Sequence, residues 1–234
     1  MKIPFEELNP SLTQHKADEL LKIYGAHYWE PGEKAVYTSS DREAYHYQAY
    51  VGEHTIDVES GDSIWWLEVG DNESWAHVRG GPVTIDSKSM AIVVRGYKAN
   101  ARSAEIGAKA MVLPYVNACS TREVFAPPRL GDPTLQHLTI PALSAEQAHH
   151  IHSTTRVVYV LRGKGVSVVG MDHGSVSTEL LPGMVCILDP MSPHHFETPQ
   201  GENIEVIPFH VFSAMQGEFD HAMFRGTFLT NQGE

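Results

Sequence analysis

The chain has 234 residues, enough for one large all-β domain or two small ones with a substantial core. Its 17 Lys and Arg residues stand against 29 Asp and Glu residues, which gives a formal net charge of −12. A polyanion would be repelled by this charge, and no basic patch interrupts it, so the composition argues against a nucleic-acid partner.

The N-terminal segment and the hydropathy predict a cytoplasmic protein without a membrane partner. Residues 1–16 lack the apolar stretch of a signal peptide, and no window approaches the roughly 18–20 apolar residues of a membrane span. Cys119 and Cys186 are too few for a disulfide framework. We expect both to be small core residues in a reducing compartment.

The clearest helix pattern lies in residues 1–25. Asn9 is predicted as the N-cap, and Pro10 takes the first helical position. Apolar residues follow at helical spacing, and Gly25 is predicted to end the helix.

After this helix the sequence changes to short β-branched runs such as SIWWLEV and RVVYVL, divided by Gly, Pro, Asp and Ser. This alternation is typical of an antiparallel sandwich or barrel. Near the end of the chain, residues 213–226 (SAMQGEFDHAMFRG) favour one short helix, which Gly217 weakens.

A weak internal repeat suggests two related β units. Residues 50–66 and 168–188 each contain a Val-Gly strand end, a short strand, a Gly turn and a second apolar strand. We therefore predict a helix in 1–25, a degenerate β unit in 26–110 and a second β unit in 111–234. Chance similarity among β-hairpins is the alternative explanation of the repeat.

A group of histidines precedes one of the strand-like runs. In an extended strand, alternate side chains share a face, so His150 and His152 are predicted to point the same way and His149 the other way. Two such imidazoles can bind one ion if a third ligand reaches them, and imidazole suits Fe, Ni, Cu and Zn. His194 and His195, which follow a Gly turn and an apolar strand, are candidates for that ligand. A metal-free surface strand at 149–152 is the alternative.

The spacing of these residues resembles the first signature motif of the cupin superfamily of small β-barrels. That motif reads Gly, five residues, His-x-His, three or four residues, Glu, six residues, Gly. His150 and His152 fill the His-x-His, and Gly163 is the closing glycine. Ser144 replaces the opening glycine, and Arg156 stands where the glutamate belongs.

The second cupin motif, Gly, five residues, Pro-x-Gly, two residues, His, three residues, Asn, resembles the segment that begins at Gly183. His194 falls at the histidine of this motif, so the spacing selects it over the histidine that follows. Asp189, Met191 and Thr198 replace the proline, the second glycine and the asparagine.

The resemblance covers residues 124–212 well and residues 37–97 only through the weak repeat. It implies an all-β cupin barrel, a double-stranded β-helix or jelly roll, within a two-part chain. It also implies one divalent metal ion in the second unit, held by His150, His152 and His194. The first unit contains only isolated histidines and is expected to have lost its metal.

The main departure from the motif is Arg156. A strand running straight from His150 would place this arginine on the same face as the two histidines. Three neutral imidazoles leave the charge of a divalent ion uncompensated, which favours an anionic substrate whose carboxylate Arg156 would hold. Alternatively, Arg156 bends outward into a surface ion pair, and Glu146 or Glu197 supplies a carboxylate.

A three-histidine motif without glutamate resembles gentisate- and salicylate-type ring-cleaving dioxygenases, as well as thiol and β-diketone dioxygenases. The resemblance implies iron(II), with Mn, Ni or Zn as alternatives, and dioxygenase-type oxidation of a small anionic substrate. The ring-cleaving enzymes are longer chains. Two other classes stay open: a metal-dependent isomerase, decarboxylase or lyase, and a non-catalytic small-molecule-binding cupin.

Further residues are candidates for supporting roles. His137 and His210 lie in predicted strands and are candidate acids or bases, or else hydrogen-bonded core histidines. Trp65, Trp66 and Trp75 form either a stacking wall for a substrate ring or part of the core or a dimer interface. Because barrels with exposed sheet edges often associate, we expect a homodimer or a higher homo-oligomer.

Overall fold

The computed structural model describes residues 2–39, 46–107, 112–113, 117–128, 132–171, 174–199, 201–210 and 227–229. These residues form two helices and twenty strands. The elements are α1 (Phe5–Leu8), α2 (Gln14–Tyr24), β1 (Ala26–Trp29), β2 (Ala35–Thr38), β3 (Tyr47–Val51), β4 (His54–Ile56), β5 (Ser63–Val69), β6 (Ser74–Arg79), β7 (Val83–Ile85), β8 (Met90–Val94), β9 (Arg102–Glu105), β10 (Val112–Leu113), β11 (Ser120–Phe125), β12 (Thr134–Ile140), β13 (His150–His152), β14 (Arg156–Gly163), β15 (Gly165–Val169), β16 (Val176–Leu180), β17 (Val185–Leu188), β18 (His194–Glu197), β19 (Ile204–His210) and β20 (Thr227–Leu229). The short helix predicted at 213–226 lies outside the described residues.

Helix α2 ends as predicted but begins later. Gly25 closes it in a left-handed conformation with φ 68°, which glycine adopts without strain. The N-cap is Thr13, whose side chain accepts from the backbone N–H of Lys16. Asn9, the predicted cap, instead exchanges two hydrogen bonds of 2.7 and 2.8 Å with the backbone of Ser177 in β16. A long-range contact therefore takes the side chain that the local pattern assigned to the helix.

Two antiparallel sheets form a barrel from the second half of the chain. The first has the strand order β1-β17-β14-β19-β12-β11-β10, and the second has the order β16-β15-β18-β13-β20. Strands β12 to β15 alternate between the two sheets, as do strands β16 to β19, and this connectivity is that of a jelly roll. The predicted all-β jelly-roll fold is therefore confirmed.

The barrel encloses an apolar core between its two sheets. Alternate residues of β14 and β19, such as Val158 and Val206, meet Phe196 of the facing sheet there. Cys119 and Cys186 belong to the same core as free thiols, which agrees with the small-core-residue expectation.

The first half of the chain contributes a six-stranded sheet of order β2-β3-β8-β5-β6-β9 and a short pair, β4-β7. One face of the six-stranded sheet packs on the outer face of the seven-stranded sheet. There the rings of Trp65 and Phe209 lie 5.5 Å apart, and the Tyr159 hydroxyl donates to the backbone carbonyl of Lys88 at 2.6 Å. Trp65 is thus core, whereas Trp66 lies on the opposite face, stacked on His77.

Strand β1 crosses the boundary that the sequence suggested. Its residues fall within the predicted first unit of 26–110, but they pair with β17 of the barrel, with Ala26 opposite Leu188 and Trp29 opposite Val185. The local sequence of β1 gives no information on this partner, because strand pairing is a long-range property. No helix in the described part of the chain has the length and apolar composition needed to cross a bilayer.

Gly163, the closing glycine of the first motif, ends β14 with φ 74°. A Cβ built there would lie 1.9 Å from the carbonyl oxygen of Asn203. We expect Gly163→Ala to lower the free energy of unfolding by about 3 kcal/mol, because it adds both a backbone clash and a strained φ. Gly80→Ala is the control, because a Cβ built there lies 3.8 Å from its nearest neighbour, the carbonyl oxygen of Asp62. Urea unfolding should show almost no change in the free energy of unfolding for this variant. Equal effects of the two substitutions would contradict this account.

Candidate metal centre

Three histidines meet on the inner face of the barrel. His150 and His152 lie on β13, and His194 lies on the neighbouring strand β18, directly opposite His150 in register. Their exposed fractions are 1%, 7% and 4%. One potential ligand atom from each residue lies within 4.8 Å of those of the other two. The three imidazoles that lie together are therefore the ones selected from the sequence by strand alternation and by the motif spacing, which favoured His194 over His195.

The backbone orients two of these rings. His150 Nδ1 lies 2.9 Å from the carbonyl oxygen of Ala148, and His194 Nδ1 lies 2.8 Å from that of Ser192. A carbonyl oxygen only accepts, so each Nδ1 carries the proton and each Nε2 keeps its lone pair. A hydrogen bond from Nδ1–H to a backbone carbonyl is the arrangement that fixes metal-binding histidines in the correct tautomer.

The three rings are held neutral. Burial lowers the pKa of His150 to about 4, and the nearby Arg156 cation adds to the effect. Burial also lowers the pKa of His152 and of His194 well below the ordinary value, and Arg156 again contributes. Neutral imidazole is the form that binds metal, so protons do not compete for this site at pH 7.

The donor set fits a transition-metal ion. The Nε2 atoms of His150 and His152 are 2.9 Å apart, and two nitrogens bound to one ion at about 2.1 Å lie roughly 3.0–3.4 Å apart. Three imidazole nitrogens suit Fe, Ni, Cu or Zn better than Mg or Ca, which prefer oxygen.

Comparison with known proteins gives no family model that matches the chain and no curated protein that matches it. Among solved structures, the chain is similar to a putative glyoxylate-induced protein from Pseudomonas aeruginosa, with 12% identity, a TM-score of 0.49 and 84% of each chain covered. A cupin 2 conserved barrel domain protein from Leptotrichia buccalis shows 12% identity and a TM-score of 0.43 over 78% of this chain and 91% of that one. The polyketide cyclase RemF from Streptomyces resistomycificus shows 18% identity and a TM-score of 0.37 over 47% and 83%.

The fold itself is decided by the strand order. In the jelly roll, the His-x-His of the first motif and the histidine of the second lie on paired strands and face inward. The chain has a cupin fold. Its reaction does not follow from that, because this fold carries many chemistries.

A cavity of about 40 Å³ lies in the cupin barrel, and two of the three histidines, His152 and His194, line it. Leu188 and Phe196 give it apolar walls, and Arg156, Glu146 and His210 bring ionisable groups to it. The described residues thus place a small, mainly apolar chamber with a few ionisable groups next to the candidate metal ligands.

Arg156 lies in this cavity and is only 2% exposed, so the alternative of a surface ion pair is excluded. Its Nη1 donates to Thr154 Oγ1 at 2.6 Å. Arg156 reaches the cavity by a route other than the straight strand that the sequence suggested. The chain bends at residues 153–155 and crosses from the five-stranded to the seven-stranded sheet, so Arg156 approaches the histidines from the facing wall.

Glu146 is the carboxyl group of this chamber and is 7% exposed. Its Oε1 accepts from the backbone N–H of Phe196 at 3.2 Å. Burial raises the pKa of Glu146 to about 7, although this hydrogen bond and the Arg156 cation act in the opposite direction. Near neutral pH, this side chain can therefore hold or release a proton.

Of the two other histidines named as acid or base candidates, only His210 lines the cavity. It stands opposite Arg156 in register, and burial lowers its pKa well below the ordinary value. His137 lies outside the cavity, so its position fits the hydrogen-bonded alternative and not that of an acid or base in this cavity. Its Nε2 lies 3.0 Å from Glu205 Oε2, because odd-numbered positions of β12 face away from the barrel interior.

Two polar residues of the cavity escaped the sequence analysis, Thr121 on β11 and Gln136 on β12. Both are buried polar side chains on neighbouring strands. A polar residue inside a β-branched run was the available signal, but it does not tell which face of the sheet is the barrel interior.

The remaining histidines of both motifs face the opposite side of their sheet, as alternation predicts. The Nδ1 atoms of His149 and His195 lie 2.8 Å apart, and His149 Nε2 lies 2.6 Å from the carbonyl oxygen of Gly170. His195 Nε2 lies 3.5 Å from Glu197 Oε2. Glu197 thus contacts His195 outside the cavity. Of the two glutamates weighed from the sequence, Glu146 is the one that lines the cavity beside the candidate metal ligands.

Proposed function

We propose that the chain is a metal-dependent cupin enzyme of the dioxygenase type, which acts on a small carboxylate substrate and uses iron(II). The observation that carries this proposal is the buried Arg156 guanidinium in a small cavity that two of the three candidate metal ligands, His152 and His194, also line. With three uncharged ligands, a divalent ion would keep its full charge, and Arg156 adds a further positive charge. Such a site favours an anion as its occupant.

Arg156 would bind the substrate carboxylate with its planar fork of N–H donors. A carboxylate held there would direct the rest of a small molecule toward the imidazoles of His152 and His194. The cavity of about 40 Å³ admits a group of only a few heavy atoms. We therefore infer an aliphatic or short-chain acid rather than a substrate that buries an aromatic ring at this point.

The apolar side chains Leu188 and Phe196 would exclude water around the bound group, which strengthens each electrostatic contact inside. A divalent ion held by the three Nε2 atoms would supply a Lewis acid and, if it is iron(II), the redox capacity for chemistry with O₂. His210, which is neutral and lies opposite Arg156, would donate a hydrogen bond to the bound substrate or accept one from it.

Glu146 favours a second candidate, an O₂-independent decarboxylase, isomerase or lyase. Such reactions move a proton to or from carbon, and they need a group that gives and takes a proton near neutral pH. Glu146, with a pKa of about 7, is that group in this cavity. Dioxygenation has no comparable requirement.

Metal analysis and turnover distinguish the candidates. Untagged protein is purified, its metals are quantified, and oxygen uptake is followed with small carboxylates, hydroxybenzoates, diketones and thiols. Iron near one equivalent with oxygen uptake supports the dioxygenase. Turnover without oxygen, together with Mn, Ni or Zn, supports the second candidate. Protein that retains no metal and turns over no substrate would contradict both.

Arg156→Ala is expected to raise the Michaelis constant about 30- to 1000-fold, since loss of a buried charged hydrogen-bonding partner costs about 2–4 kcal/mol. Metal content should stay within about twofold, because removal of a neighbouring positive charge does not weaken cation binding. Arg162 on the same strand is exposed, and Arg162→Ala is the matched control. Loss of metal with an unchanged Michaelis constant would remove Arg156 from substrate binding.

A further inference from the structure

The side-chain amide of Gln136, on β12, lines the cavity but has no part in the reaction proposed above. Gln136 is only 2% exposed, and its amide forms no hydrogen bond with any other residue in the described part of the chain. Neither polar atom of the amide is among those that are both unpaired and sealed off, so a molecule in the cavity can reach it. A buried amide without a partner is unfavourable, so this position is complementary to a ligand group that forms hydrogen bonds.

The strand register places Gln136 near Arg156. In the seven-stranded sheet Gln136 lies beside Pro208 of β19, and Pro208 is opposite Val158 of β14. Val158 is two residues from Arg156 and shares its face. The backbones of β12 and β14 are two strand spacings apart, about 10 Å. Pro208 and Val158 between them are apolar, so Gln136 is the hydrogen-bonding group in this row of the sheet.

The size of the cavity restricts where a ligand can carry its second polar group. A carboxylate held by Arg156 takes up much of the volume of about 40 Å³, which leaves room for only a few more heavy atoms. A group that also meets the Gln136 amide is therefore attached to the carbon next to the carboxylate. An amide donates through its NH₂ group and accepts through its oxygen, so it pairs with a hydroxyl or an oxo oxygen.

We propose that Gln136 determines specificity by forming a hydrogen bond with an oxygen on carbon 2 of the substrate, so that the site selects 2-hydroxy or 2-oxo acids over unsubstituted short-chain acids. This inference rests on the proposed function, in which Arg156 holds the carboxylate. A methyl group in place of the oxygen leaves the buried amide unpaired, and sites built to hydrogen-bond a substrate hydroxyl reject such an analogue.

The test compares binding of glycolate and propionate to the untagged full chain by calorimetry. The two anions have the same charge and nearly the same size, and a methyl group replaces the hydroxyl. We expect glycolate to bind at least about tenfold more tightly. Equal affinities that both fall in Arg156→Ala would overturn the role of Gln136 and leave the carboxylate site in place. Absence of Arg156-dependent binding up to about 10 mM would overturn the proposed function, and this inference with it.

Gln136→Met is the diagnostic variant, because methionine has a similar length and only a weak acceptor. We expect the preference for glycolate to fall to within about twofold of equality, while propionate affinity changes by less than about twofold. A structural defect would weaken both anions. A hydroxy acid also chelates metal ions, so a preference that persists in Gln136→Met would belong to chelation and overturn the inference.

Thr139→Val is the matched control, since it changes an outward-facing position of the same strand. It should keep the preference of the unaltered chain. If Gln136→Met does not fold, Gln136→Asn withdraws the amide by one methylene and should lose the preference in the same way. An unchanged preference in Gln136→Asn would then overturn the inference.

Discussion

Replacing His150 or His194 by alanine is expected to lower the metal affinity of the purified protein by at least about 100-fold, so that little metal is retained. Changes in groups that only orient a ligand already cost about 10- to 100-fold, and removal of a ligand nitrogen costs more. The rings of His150 and His194 lie 4.6 Å apart, so neither can be replaced by a neighbour without a new strand register. Metal per chain, measured by mass spectrometry after dialysis, gives the result.

His149→Ala is the matched control for this experiment. His149 is adjacent in sequence to His150 but faces the other side of the sheet, toward His195. The control protein should therefore retain the metal content of the unaltered chain. Retained metal in both His150→Ala and His194→Ala would show that the three imidazoles do not form the site.

The metal-free protein is expected to lose stability between pH 7 and pH 5. The pKa of His150 is about 4 in the folded chain and about 6.5 when unfolded, so the unfolded state takes up a proton first as the pH falls. Stability is then lost below about pH 6.5, and His150 alone contributes a loss of about 2 kcal/mol at pH 5. Burial also lowers the pKa values of His152, His194 and His210, so they act in the same direction.

Glu146 acts in the opposite direction over the same window. Its folded pKa of about 7 exceeds the unfolded value of 4.5, so the folded state binds the extra proton and gains stability as the pH falls. The gain at pH 5 is about 2 kcal/mol, which offsets one of the four histidines and leaves the net effect destabilising. Glu146→Gln should therefore make the loss of stability between pH 7 and pH 5 steeper.

Urea unfolding of chelator-treated protein at pH 7 and pH 5 measures both effects. Carboxyl groups with a lowered pKa, such as Glu205, lose their contribution mainly below pH 5 and do not interfere. Equal stability at the two pH values in the unaltered chain would contradict the buried neutral state of the histidines. A shallower dependence in Glu146→Gln would contradict the role assigned to that carboxyl.

Local alternation was enough to predict which side chains of the candidate site share a face. The period of two along a strand places His150 and His152 on one face and His149 on the other, and the structure agrees. The spacing from Gly183 separated His194 from His195. These inferences succeeded because they depend on one strand or one turn.

Inferences that required the second sheet were less successful. His137 and Gln136 are neighbours on β12, and only knowledge of the barrel shows that Gln136 faces the cavity. Arg156 reaches the cavity, but it does so from the facing sheet after a bend that the straight-strand argument did not include. Glu146 was weighed as a carboxylate from sequence, while its pKa depends on burial, which only the folded packing sets.

The helix boundary and strand β1 have the same explanation. Asn9 is a good N-cap by residue type, yet its amide is used by the backbone of Ser177. Ala26 begins a strand whose partner is Leu188. Each contact joins segments more than 150 residues apart, beyond the reach of local propensity.

The seven-stranded sheet serves two sides of the molecule at once. Along β14, Val157 and Tyr159 pack toward the first half of the chain, whereas Arg156 and Val158 point into the chamber beside the imidazoles. The first half of the chain thus supports, from behind, the sheet that carries the Arg156 guanidinium. A cavity-creating change at Trp65, remote from every candidate ligand, is transmitted through Phe209 to the adjacent His210, so substrate affinity is expected to respond before metal retention does.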